Sequence, residues 1–132
     1  MTPPPPSRRE RIKTPGAPAP IGPYSSGLLV GDTLYCSGQI GLDPATGELV
    51  EGDVQEETTR ILDNLGAVLR AADMDFDHVV QVTLFLRDMD DYAPVNEVYS
   101  RYFSGVTPAR EALEVGKLPR GARVEISCIA VR

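Results

Sequence analysis

Eight of the 12 prolines in this 132-residue chain fall within residues 1–23, four of them consecutive at positions 3–6. Proline fixes φ and carries no amide hydrogen, so this stretch supports neither a helix interior nor a central strand. With few large apolar residues to pack, residues 1–18 read as a proline-rich, disordered or loosely attached arm. A PPPP run can serve as a polyproline ligand, but a solvated tail is the simpler reading. The remainder, residues 19–132, suits one domain with one core, given a hydrophobic fraction of 42%.

The net charge of −6 is unevenly spread. Residues 1–20 carry Arg8, Arg9, Arg11 and Lys13 against Glu10, a balance of +3, which leaves −9 on residues 21–132. Clustered Lys and Arg dominate nucleic-acid affinity, so an acidic body argues against RNA or DNA as a partner. No run reaches the roughly 18 to 20 apolar residues that span a bilayer, and no apolar segment follows the N-terminal arginines. A cytoplasmic location without a membrane partner is the expectation. Cys36 and Cys128 sit in the apolar stretches TLYCSG and EISCIAV and read as buried free thiols rather than a disulfide framework. With one histidine, His78, and no CxxC or HxxxH spacing, no metal site is expected.

Turn chemistry and hydrophobic period order the elements. LLVGDTLYCS, residues 28–37, reads as two strands around a tight Gly31-Asp32 turn. GQIGLDPATGEL is loop. Asp53 with Glu56 three residues on forms a capping box, and Ile61, Leu62, Leu65, Val68, Leu69 and Ala72 keep helical spacing, so a helix is predicted over about 54–72. VVQVTLFL, residues 79–86, is an interior strand with Val80, Val82, Leu84 and Leu86 on one face. Asp90 or Asp91 can cap a second helix whose face gathers Tyr92, Val95, Asn96, Tyr99 and Phe103. Strands over about 110–115 and 123–131 finish the chain. The fold class is α+β: one mixed sheet, both helices on one face, and a bare face that further copies of the chain would cover.

The chemistry-bearing residues are few. His78 follows DMDFD at a strand entrance and reads as a surface histidine. No G-x-S-x-G elbow, G-x-G-x-x-G or phosphate loop is present, so covalent-hydrolase, dehydrogenase and NTPase readings lose support. Arg110, after Pro108-Ala109, has the planar fork that binds carboxylates in two parallel bonds. With Glu111 and Glu114 following it, Arg110 also fits a surface salt bridge, and local pattern alone favours that second reading. Asn96 on an apolar helix face is equally a buried structural amide or a site residue. Glu125 lies in the apolar strand VEISCIA, either at its rim or deliberately placed.

Several segments together resemble the Rid proteins, reactive-intermediate deaminases also described as L-PSP endoribonucleases or translation inhibitors. They are IGPYSS (21–26), YCSGQIGLDPATGEL (35–49), NLGAVLRAA, VTLFLRDMDDYAPVNEVYSRYF (82–103), PAR (108–110) and VEISCIAV (124–131). The resemblance implies a chorismate-mutase-like fold and a homotrimeric barrel with clefts between protomers. It implies cofactor-independent hydrolysis of 2-enamines and 2-imines, such as 2-aminoacrylate, to 2-keto acids and ammonia, a damage-control function. By position, Arg110 becomes the carboxylate anchor, reversing the local reading. Tyr24, Ser37, Gly38, Asn96 and Ala112 line the cleft, and Glu125 positions water, with Tyr24 orienting the ligand or shuttling a proton. Where many members read Ser-Cys after the arginine, this chain has Glu111-Ala112, so the cleft holds no thiol there. Strand alternation sends Glu111 to the face opposite Arg110. The competing readings are a non-enzymatic small-carboxylate binder or chaperone-like protein, and a ribonuclease, which the acidic body and missing catalytic histidine disfavour.

Overall fold

The computed structural model describes residues 1–132, in the order β1 (Glu10–Arg11), β2 (Gly27–Val30), β3 (Thr33–Gln39), α1 (Val54–Ala71), β4 (Val79–Leu86), α2 (Tyr92–Tyr99), β5 (Ala109–Glu114) and β6 (Val124–Val131). The sheet runs β1-β2-β3-β6-β4-β5 and is antiparallel throughout except for the parallel β4–β5 pair. Parallel neighbours need a crossover, and α2 supplies it. No helix is long and apolar enough to cross a membrane.

Local chemistry explains the boundaries. Gly31 at φ 61° makes the β2–β3 turn, a conformation that side chains with a Cβ avoid. Asp53 accepts from the Glu56 amide at 2.9 Å while Glu56 reaches back to the Asp53 amide at 3.3 Å, so α1 opens on the expected capping box. Such a cap contributes about 1 kcal/mol. The second helix starts differently from the expectation: Asp91 makes no side-chain cap and Asp90 is itself a donor. Instead Asp88 accepts from the Asp90 amide at 2.9 Å and caps a 3-10 turn, Met89–Asp91, that feeds α2. The helix also ends at Tyr99, so Phe103 reaches the core from the following turn and stacks on Tyr99 with ring centroids 4.4 Å apart.

Both helices pack on one side of the sheet, and Leu34, Ile61, Leu62, Leu65, Val82, Leu84 and Ile126 are buried between the layers. Each such side chain contributes roughly 1.5–3 kcal/mol. Two bulges break the simple alternation. One, between Val79 and Gln81, leaves Val80 47% exposed and buries Val79, so the face assigned to Val80 from its spacing is corrected. The other, between Cys36 and Gln39, turns Gln39 inward and leaves Ser37 and Gly38 toward the uncovered face. The extra residue of a bulge shifts every later side chain by one position.

Residues 10–17 correct the proposed arm boundary at 18. Glu10 and Arg11 pair with Leu29 and Leu28, and Ile12 and Ala17 are buried in the main core. The proline stretch nonetheless forms no helix. An ion pair with a buried carboxylate and a partly exposed arginine ties α1 to the start of β6: the Glu57 carboxylate accepts from Arg123 Nε at 2.8 Å and from the Arg123 and Val124 amides at 2.8 and 3.2 Å.

Candidate active site

Arg110 enters on β5 opposite Val82, whose side chain faces the helices. Because β5 is the edge strand, a long side chain on that face can run past the core to α2 rather than into it. There Nη1 donates to Asn96 Oδ1 at 2.7 Å and Nη2 donates to Tyr92 Oη at 2.8 Å. The guanidinium lies 4.7 Å from the Tyr99 ring centroid and 5.5 Å from that of Tyr92. Tyr92, Asn96 and Tyr99 stand at i, i+4 and i+7, so a single helix face presents all three. None of the four ion pairs in the chain includes Arg110. Glu111 points the other way and is contacted by Gln81, while Glu114 accepts from the Met89 amide. The salt-bridge reading of Arg110 therefore fails. Neutral groups and aromatic faces orient the cation and leave its charge free for an anion.

The tyrosines around it respond in opposite ways. Burial pushes the Tyr99 phenol up, against the pull of the Arg110 charge. The Asn96 amide, and then the Arg110 charge, hold the Tyr92 phenol below its ordinary value of 10.0. Ala112 follows on the same face of β5, half-buried against the core.

A second group forms on the uncovered face. Glu125 is half-buried on β6, and burial raises its carboxyl above the ordinary value of 4.5. Gly38 makes room for it: a Cβ at that position would lie 2.5 Å from Glu125 Oε2. Ser37 donates its hydroxyl to the Ser25 carbonyl at 2.6 Å and its amide to the Ser26 carbonyl, fixing the IGPYSS loop to β3. In that loop Tyr24 is 43% exposed, and its oxygen accepts from the Ile21 amide at 3.3 Å. A cleft of about 590 Å³ separates the loop from residues 11–20, with Tyr24 and Ser26 on one wall and Ile12 and Pro15 on the other.

The register divides the expected site residues. Val82, the neighbour of Arg110, pairs with Cys128 on the helix side, whereas Glu125 pairs with Phe85 on the other side. Arg110, Asn96 and Ala112 thus belong to one face of the sheet and Ser37, Gly38 and Glu125 to the opposite face. One copy of the chain does not bring the two groups into a common cavity. Tyr92 and Tyr99, read from the sequence only as an apolar helix face, prove to be the bracing of Arg110. Glu57 was also missed, although a carboxylate one turn before Ile61 in an apolar stripe is a visible signal. His78 bonds Asp75 at 3.1 Å in an exposed turn, away from both groups. Cys36 and Cys128 are free, buried and opposed across β3–β6, and the Cys36 contact and burial push the Cys128 thiol far up, so neither is an activated nucleophile.

The Endoribonuclease L-PSP family model matches residues 14–132. A mouse protein named 2-iminobutanoate/2-iminopropanoate deaminase is 54% identical over 124 residues, covering 94% of this chain and 92% of its own. The human protein of that name is 48% identical, covering 94% and 90%. Among solved structures, a Rid-family protein of unknown function from Yersinia pestis superposes with a TM-score of 0.92 at 42% identity, over 95% of this chain and 100% of the other. Escherichia coli TdcF with bound serine superposes with a TM-score of 0.89 at 37% identity, over 93% and 98%.

Proposed function

Since this chain belongs to the Endoribonuclease L-PSP, or Rid, family, we propose that it hydrolyses reactive 2-enamines and 2-imines to 2-keto acids and ammonia. The observation that carries this reading is the unpaired, triply braced guanidinium of Arg110. Its free N–H groups suit an α-carboxylate, and curated relatives at 48–54% identity carry the name of this deaminase activity.

In the proposed mechanism Arg110 clamps the carboxylate in two charge-assisted hydrogen bonds and so fixes the reacting C2 atom. A 2-enamine takes up a proton at C3 and becomes the 2-imine. Water held by the Glu125 carboxylate then adds to C2, the C2–N bond breaks, and ammonia leaves with the 2-keto acid. Tyr24 orients the ligand or relays a proton, and Ser37, Gly38, Asn96 and Ala112 line the cleft. The chemistry draws on water and protein groups alone, acts on a small metabolite, and is placed in the cytoplasm.

The division of these residues between two sheet faces supports a site assembled from two copies. One copy would supply Arg110, Asn96 and Ala112, and its neighbour Tyr24, Ser37, Gly38 and Glu125. The uncovered face carries Tyr35, Phe85, Leu113 and Ile129, with Tyr35 49% and Leu113 39% exposed, an apolar surface suited to burial against further copies. A homotrimeric barrel with three clefts fits this division.

The test generates 2-aminoacrylate in situ from serine with a pyridoxal-phosphate dehydratase and follows pyruvate. The wild type should exceed the spontaneous rate, and Arg110→Ala should lose at least about a hundredfold in kcat/KM, the value of two hydrogen bonds to a charged group. Equal rates for the two proteins would overturn the assignment. The serine bound to the E. coli neighbour favours a second reading, small-carboxylate binding without turnover. Calorimetric binding of 2-ketobutyrate by a protein that does not accelerate keto-acid formation would select it.

A further inference from the structure

Arg110 has five N–H hydrogens and no acceptor. Asn96 takes one from Nη1 and Tyr92 takes one from Nη2, which leaves the Nε hydrogen and one on each terminal nitrogen for a ligand. The Tyr92 oxygen accepts from the cation, so its own hydrogen is not used in that contact, and no protein acceptor receives it. Tyr92 is 36% exposed and occupies the rim where the guanidinium meets solvent. A carboxylate docking on the one free N–H of Nη2 and on a second free N–H of the guanidinium therefore arrives beside a hydroxyl whose hydrogen is unclaimed.

We propose that Tyr92 is a direct substrate-binding residue, whose hydroxyl donates a third hydrogen bond to the α-carboxylate that Arg110 clamps. This rests on the deaminase reading and adds to it a specificity element for 2-imino acids. Oη holds its place because Arg110 donates to it, and the same contact keeps the guanidinium in the plane that a carboxylate needs. The Asn96 amide, and then the neighbouring cation, lower the phenol's pKa, which makes its O–H a stronger donor. Neutral imines lacking the carboxylate gain nothing from either group, so the pair discriminates by charge as well as by shape.

The inference is tested with Tyr92→Phe, which keeps the ring and removes one oxygen. KM for imine generated in situ, and Kd for 2-ketobutyrate by calorimetry, should each rise about tenfold, the lower range for a hydrogen bond to a charged group. The value of kcat should fall less than twofold, because the carboxylate is held equally before and during reaction. An unchanged melting temperature should accompany this, since the oxygen lies at the surface. Wild-type KM and Kd in Tyr92→Phe, beside an impaired Arg110→Ala, would overturn the role of Tyr92 alone. A lower kcat at unchanged KM would also overturn it, by showing that the hydroxyl acts only through the arginine. If the wild type failed to accelerate keto-acid formation, the deaminase reading would fall, while the 2-ketobutyrate titration of both proteins would still decide the Tyr92 contact.

Discussion

Gly38→Ala separates the proposed chemistry from the fold. The added Cβ would stand 2.5 Å from Glu125 Oε2, 2.8 Å from its Cδ and 3.0 Å from its Cγ. Contacts of this kind relax near 3.5 Å, so the carboxyl group must retreat by about 1 Å. The colliding atoms are the free end of a rotatable side chain at a half-open surface. Gly38 has no positive φ to preserve, and alanine narrows the unfolded ensemble, which offsets roughly 0.4–1 kcal/mol. Net stability should therefore stay within about 1 kcal/mol of the wild type. Catalysis should not be spared, because a 1 Å misplacement of a reacting group costs about a hundredfold. Pyruvate formation from 2-aminoacrylate should show that loss in kcat, beside a thermal transition moved by only a few degrees. The same substitution made on a Glu125→Ala background should add little. A Gly38→Ala enzyme with kcat within threefold of the wild type would refute the water-positioning role of Glu125, as would a full hundredfold loss on the Glu125→Ala background.

Three further outcomes follow from the charged groups. Glu57→Ala removes a buried carboxylate and leaves Arg123 Nε and the Arg123 and Val124 amides without their acceptor, although Arg123 Nη2 keeps the Gly52 carbonyl, so urea denaturation should show a loss of about 3 kcal/mol. For Glu125 the folded-state pKa is raised, so the folded protein holds this proton more tightly than the unfolded chain does. Stability from this group is present below the ordinary value of 4.5 and is lost as pH climbs through the raised value, so Glu125→Gln should be slightly the more stable protein at neutral pH. Under the proposed mechanism, in which the carboxylate form holds the water, activity should run oppositely: wild-type kcat should climb with pH through an apparent pKa above 4.5, and Glu125→Gln should lose that limb.

What could be read in advance was whatever short-range chemistry decides. Asp53 and Glu56 are three residues apart, and the α1 stripe repeats every turn, so this helix was placed to within a residue. The Gly31-Asp32 turn was equally local. The failures share a different cause. Ile12 and Ala17 are isolated apolar residues among prolines, with no period to announce that they are buried. The bulge that exposes Val80 depends on how β4 registers against β6. Arg110 was ambiguous because Glu111 and Glu114 adjoin it, while its true partners lie 14 and 18 residues away. The β4–α2–β5 crossover, not the neighbouring sequence, brings Asn96 and Tyr92 to it. Most of the site residues are legible only through resemblance to the family, and the strand register divides them between two faces.

That sorting bears on how defective copies behave together. In the proposed two-copy site, a chain lacking its guanidinium would still offer an intact acidic half, and one lacking the acid an intact cationic half. Mixed assemblies of two individually dead proteins should thus regain function at about one interface in four when the copies shuffle at random in a ring. Co-expression of Arg110→Ala with Glu125→Ala becomes a complementation experiment, in which rescue reveals that each working centre has two parents.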